Sequence, residues 1–158
     1  RYQQAALDAL RAALARSAVA GPAAAFAEAT GRAYRPLEGV PDAPCFCLRL
    51  PTGAGKTLLA AHAVRVAGET VLGQDFPLVL WLVSSTAIAQ QTVEALRDRR
   101  FLPRQALEAA YGPHALRVLE LDRFTELRPQ DLGRHCVVVV GTMQAFRVED
   151  EAQRAVYQ

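Results

Sequence analysis

The chain has 158 residues, 51% of them hydrophobic and 22% charged, with a formal net charge of +2. That length suits one domain with one sizeable core, and the composition excludes a disordered or low-complexity chain. The longest apolar runs, such as Leu78–Val83 and Cys136–Val140, are strand-sized and too short to span a membrane.

The small net charge neither demands nor excludes a nucleic-acid partner. Lys56 is the only lysine among the 18 basic residues Lys and Arg. The Arg and Ala bias reflects the coding composition of a genome and not a function, which makes Lys56 harder to dismiss as a solubilising residue. The chain begins with Arg, and Arg1–Ala20 carries charges throughout, so no secretory leader is visible. A start in mid-pattern suggests an excerpt of something longer. The three cysteines, Cys45, Cys47 and Cys136, lack zinc spacing and a disulfide framework. They read as small buried residues on strands in a reducing cytoplasm.

Arg1–Ala20 has apolar residues at helical spacing (Ala6, Leu7, Leu10, Ala13, Leu14) and ends at Gly21-Pro22. Ala23–Ala33 reads as a short second helix, and Pro36, Gly39, Pro41 and Pro44 mark a loop. Cys45–Leu50 then reads as a buried strand, Pro51–Gly55 as a tight turn and Thr57–Ala67 as a helix. Leu78–Val83 is a second strand. Ser85 or Thr86 can cap a helix that runs to about Arg99. Pro103–Tyr111 follows as a short helix, Leu116–Leu121 as a third strand, Pro129–Gly133 as a turn or short helix and Cys136–Val140 as a fourth strand. A last helix is expected near Thr142. Apolar strands alternating with helices predict an α/β fold with a mostly parallel sheet, covered by helices on both faces. The expected division is residues 1–44 as an N-terminal helical extension and 45–158 as the α/β core.

Leu50-Pro51-Thr52-Gly53-Ala54-Gly55-Lys56-Thr57 carries the chemistry. A turn ending in Gly-Lys-Thr, after a strand and before a helix, is the phosphate-binding signature. Gly53 and Gly55 permit backbone angles and close approach that a side chain would block. Successive N–H groups then form an anion nest, reinforced by the positive end of the following helix. Lys56 would lie along the β- and γ-phosphates of a nucleoside triphosphate, and the Thr57 hydroxyl would ligate Mg²⁺. Pro51, Thr52, Gly53, Ala54 and Gly55 line the cradle. The competing reading is a glycine turn that merely links a strand to a helix.

Pro51–Thr57 (PTGAGKT) resembles motif I of the superfamily-two helicases and translocases, which often lack the first loop glycine, replaced here by Leu50. Arg1-Tyr2-Gln3 resembles their upstream Tyr-Gln element, Leu80–Gln91 (LWLVSSTAIAQQ) their motif Ia, and Val137–Phe146 (VVVVGTMQAF) the later strand followed by Thr-x-Gln. The closest likeness is to the ATPase domain of DEAD/DEAH-box proteins related to the type III restriction enzyme Res subunit. It extends over nearly the whole chain, most weakly over Ala18–Asp42 and Arg97–His114. The resemblance implies an incomplete RecA-like domain that binds ATP and Mg²⁺. It also implies a second RecA-like domain in the same parent and nucleic acid, DNA first, as partner. It makes Lys56 and Thr57 catalytic, Gln3 a reader of the adenine edge, and Ser84, Ser85 and Thr142 phosphate-backbone contacts. Family members usually have Pro where this chain has Ser84. Helix capping is the competing role for Ser85 and Thr142, and an ordinary exposed helical glutamine for Gln3.

Hydrolysis also needs an apolar strand ending in Asp-Glu to hold Mg²⁺ and polarise water. Leu78–Val83 is followed by Ser84, Cys136–Val140 by Gly141, and Arg117–Asp122 ends in a lone Asp that suits a turn. By the resemblance the missing carboxylates lie beyond Gln158, so the chain alone is expected to bind ATP weakly and not to turn it over. His62, His114 and His135 show no metal spacing, and Arg99-Arg100 suits a solvated helix end. Two other functions stay open. A P-loop kinase or phosphotransferase would usually keep the first loop glycine. A nucleotide-dependent binding module would lack turnover.

Overall fold

The computed structural model describes residues 2 to 146. Five α-helices are α1 (Tyr2–Ala20), α2 (Pro22–Thr30), α3 (Lys56–Ala67), α4 (Thr86–Arg97) and α5 (Leu102–Tyr111). The three strands β1 (Leu78–Val83), β2 (Leu116–Glu120) and β3 (Cys136–Thr142) form one parallel sheet in the order β1-β3-β2. In register, Leu78 to Val83 face Val137 to Thr142, and Leu116 to Glu120 face Cys136 to Val140.

The middle strand explains the sheet. Cys136–Val140 is buried on both faces, which is why its sequence is an unbroken apolar run. On one face Val138 and Val140 pack with Ala61 of α3, Val93 and Leu96 of α4, and Leu107 of α5. Leu96, Leu107 and Val138 are fully buried, each worth about 1.5–3 kcal/mol relative to exposure. On the other face Val137, Val139 and Leu119 meet Leu121, Phe124 and Leu127. That cover comes from the short 3-10 segment Leu121–Glu126 and from Leu127, which follows it. A Cβ on Gly141 would stand 2.7 Å from a Leu121 methyl, so the glycine lets this cover close over the end of β3.

Local signals account for the helix limits. Pro22 opens α2 directly after Gly21, and Pro103 stands in the first turn of α5. Ser85 caps α4, its Oγ accepting from the Ile88 N–H at 3.3 Å. A π-helical turn, Gly68–Leu72, prolongs α3 before the chain turns into β1. Arg104 is buried at the α4–α5 junction, paired with Glu108 at 2.7 Å and donating to the Leu96 carbonyl.

Cys45–Leu50 departs from expectation: Pro44 to Pro51 has no regular structure, and Cys45 and Cys47 are exposed. A strand exists only by pairing, and among the described residues nothing pairs with this stretch. Aromatic contacts hold it instead. Phe46 stacks on Phe26 of α2 at 6.2 Å between centroids, and Tyr34 OH accepts from the Cys45 N–H at 3.0 Å. Only Cys136 is the buried strand thiol that the sequence suggests for all three. The helix expected near Thr142 is a 3-10 turn, Met143–Phe146.

β1 pairs with β3 alone among the described residues, and its Leu78, Leu80 and Leu82 are exposed. Between α3 and this edge runs an apolar groove of about 500 Å³, lined by Ala63, Val64, Leu80 and Trp81 among others.

Candidate functional site

The loop Pro51–Gly55 leads directly into α3, whose first residue is Lys56. Gly53 (φ 78°) and Gly55 (φ 73°) both take the left-handed conformation, which costs other residues roughly 1–2 kcal/mol. Gly55 is the helix cap and has no side chain to occupy the N–H groups of the first turn. Those groups have no intrahelical acceptors, so they are available to an anion at the positive helix end. The Leu59 N–H makes the first helical bond, to Gly55 O at 3.0 Å.

Inside the loop the Pro51 carbonyl accepts twice, from the Ala54 N–H at 3.3 Å and from Lys56 Nζ at 2.8 Å. The Lys56 ammonium is thus folded back over the loop while remaining exposed. Thr57 is also exposed, one residue into α3. Gln3 and Tyr2 reach this loop from the first turn of α1, both donating to the Ala54 carbonyl, at 2.8 and 3.3 Å. Tyr2 is the residue whose contact the sequence reading missed. Its only sequence signal is its place beside Gln3.

The end of α3 meets the start of β1, where a Cβ on Gly68 would stand 3.6 Å from Pro77, and both elements line the groove, so α3 runs back along β1 and the loop lies toward the carboxyl end of the parallel strands. That is the end where open α/β sheets bind ligands. Thr142 closes β3 in register with Val83, and Ser84 and Ser85 follow Val83 directly. The fold therefore gathers Ser84, Ser85 and Thr142 at one end of two adjacent strands. Ser84 is exposed, Thr142 is half-buried, and the Ser85 hydroxyl caps α4.

Other polar groups are engaged elsewhere. Arg99 pairs with Glu108 at 2.9 Å and Arg100 with Asp98 at 2.6 Å, both just past the end of α4. Asp131 joins Arg117 and accepts from the Arg128 N–H; that N–H first, then the guanidinium, holds its carboxyl below the ordinary range. Asp122 lies exposed in the turn after β2. Among the described residues no three His, Cys, Asp or Glu side chains gather as a metal site. No helix there is long and apolar enough to cross a membrane.

A parallel sheet with a glycine-Lys-Thr loop opening the helix at its carboxyl end is the architecture of a RecA-like α/β domain. Residues 1–156 match the family described as type III restriction enzyme, res subunit. The chain belongs to that family, whose domain is a superfamily-two helicase-like ATPase. No curated protein and no solved structure matches the chain.

Proposed function

We propose that this chain supplies the nucleotide-binding half of an ATP-dependent motor acting on DNA, a helicase, a translocase or the motor of a type III restriction-like system. The observation that carries the reading is the loop: two left-handed glycines, a helix start with no side-chain cap and a lysine ammonium gathered around Pro51–Thr57. This donor set fits a polyphosphate. Lys56 exchanges the Pro51 carbonyl for phosphate oxygens. Pro51, Thr52, Gly53, Ala54 and Gly55 form the cradle, and Gln3 adjoins it. The Thr57 hydroxyl offers Mg²⁺ one hard ligand. Bound ATP supplies a phosphoanhydride whose hydrolysis drives the motor.

Ser84, Ser85 and Thr142 form the nucleic-acid track at the strand ends, as contacts to the phosphate backbone that position a strand without reading it. Residues 1–44 serve as an N-terminal helical extension to a core from residue 45 onward. A second RecA-like domain of the same parent completes the motor, which works in the cytoplasm. No described strand ends in the paired carboxylates that polarise water: β1 leads into Ser84, β2 ends at a single Glu120 followed by Leu121, and β3 ends at Thr142. On this reading residues 1–158 alone are a binding unit, with turnover left to the protein carrying its downstream sequence. The absence of the first loop glycine, at Leu50, speaks against a P-loop kinase.

The test is ATP turnover by the protein carrying its downstream sequence, with and without single-stranded DNA. The reading expects stimulation by DNA, loss of turnover in Lys56→Ala, and a DNA response weakened more than the DNA-independent rate in Thr142→Ala. DNA stimulation that survives Lys56→Ala contradicts it.

A further inference from the structure

The start of α1 acts on the loop in a way that the loop's own composition does not foretell. Ala54 is the one buried residue between Pro51 and Thr57, at 5% exposure. Two donors converge on its carbonyl, Gln3 Nε2 at 2.8 Å and Tyr2 OH at 3.3 Å. The same Gln3 amide fills the space beside Gly55 where a Cβ would sit, 2.6 Å away.

Peptide geometry turns these contacts into a consequence. The unit joining Ala54 to Gly55 is planar and trans, so its C=O and N–H point in opposite directions. Fixing the Ala54 carbonyl toward α1 aims the Gly55 N–H away from α1. Gly55 is the cap of α3, so this N–H stands next to the first-turn donors of the helix. We propose that Gln3 and Tyr2 are positioning residues that preset the phosphate-binding donors of the loop, and that they do so whatever base the nucleotide carries. The proposal rests on reading Pro51–Thr57 as a phosphate site. It differs from a role in reading adenine, which would use the second N–H and the amide oxygen that the bond to Ala54 leaves free.

Binding of ATP, GTP and inorganic tripolyphosphate to the 158-residue protein, measured by calorimetry, tests it. The variants are Gln3→Ala, Gln3→Glu and Tyr2→Phe, with Lys56→Ala as the control for the site. Loss of one net hydrogen bond corresponds to about 2- to 12-fold in affinity. Gln3→Ala is expected to weaken all three ligands by the same factor in that range, and Tyr2→Phe by a smaller common factor. Gln3→Glu is expected to weaken them at least as much as Gln3→Ala, since a carboxylate offers the Ala54 carbonyl no donor. Hydrogen exchange at the Gly55 amide of the ligand-free protein should quicken in both Gln3 variants, while circular dichroism shows α1 intact. A loss confined to ATP overturns the proposal in favour of base reading, as does Gly55 exchange unchanged by either Gln3 substitution. Failure of the phosphate reading looks different: wild type binds none of the three ligands, or Lys56→Ala binds them equally well. The Gly55 exchange rate still decides the role of Gln3 in that case.

Discussion

Gly55 and Gln3 compete for one volume: a Cβ on Gly55 would stand 2.6 Å from Gln3 Nε2. Gly53 has a similar backbone angle, φ 78° against 73°, but nothing within 4 Å of its missing Cβ. The two glycines therefore separate backbone strain from crowding. Gly53→Ala should lower unfolding free energy by roughly 1–2 kcal/mol through the left-handed conformation alone. Gly55→Ala should cost that and also displace Gln3, so it should lose more. Urea denaturation of both variants checks the order. Equal losses would mean that the Gln3 contact does not form.

The thiols divide by environment. Cys45 and Cys47 are exposed, whereas Cys136 is buried in β3 and burial pushes its thiol up to about 12. Thiolate is the reactive form, so Cys136 is protected both by access and by ionisation. In native protein at pH 8, a thiol reagent should modify Cys45 and Cys47 quickly and Cys136 only on unfolding. Counting labelled cysteines by mass spectrometry with and without urea measures this. Rapid labelling of all three would contradict the packing of β3.

β1 presents an exposed apolar edge, with Leu80 at 52% exposure. Such edges recruit other strands unless a charge interrupts them. Leu80→Lys should reduce self-association of the 158-residue protein in light scattering. Its unfolding free energy should stay within about 1 kcal/mol of wild type, because the side chain leaves no core. Unchanged association would point to a different sticky surface.

Asp131 links acid to stability. Its folded pKa is depressed by the Arg128 N–H and by Arg117, so its contribution is complete above the unfolded value of about 3.9. That contribution is lost as pH falls through the folded pKa. Asp131→Asn should therefore be less stable than wild type at pH 7, and the gap should narrow toward pH 3. Urea melts at the two pH values decide it; a gap that stays constant would show that the carboxylate charge is not what matters.

Much of this was legible in the sequence, for reasons visible in the residues. The run Val137–Val140 announces a central strand because both its faces are buried. Ser85 announces its cap because a hydroxyl directly before an apolar helical pattern can accept from a first-turn N–H. The loop glycines and Lys56 are legible because few other residues fit their conformation and charge. Cys45–Leu50 misleads because an apolar run states a preference for burial and not the presence of a pairing partner. Its Phe46 finds burial against Phe26 instead. The contact of Gln3 with Ala54 spans 51 positions, and no local pattern encodes such a distance.

The central claim is that Pro51–Thr57 holds the phosphates of a nucleotide and that Lys56 is its main cation. Titration of the 158-residue protein with a fluorescent ATP analogue and Mg²⁺ tests it most directly, wild type beside Lys56→Ala. Lys56 is exposed and bonded only to a loop carbonyl among the described residues, so the variant should fold as wild type does. Charged hydrogen bonds of this type correspond to about 10- to 100-fold in affinity. The account predicts saturable binding by wild type and a loss of that size in Lys56→Ala at unchanged stability. Equal binding by the two proteins would contradict it.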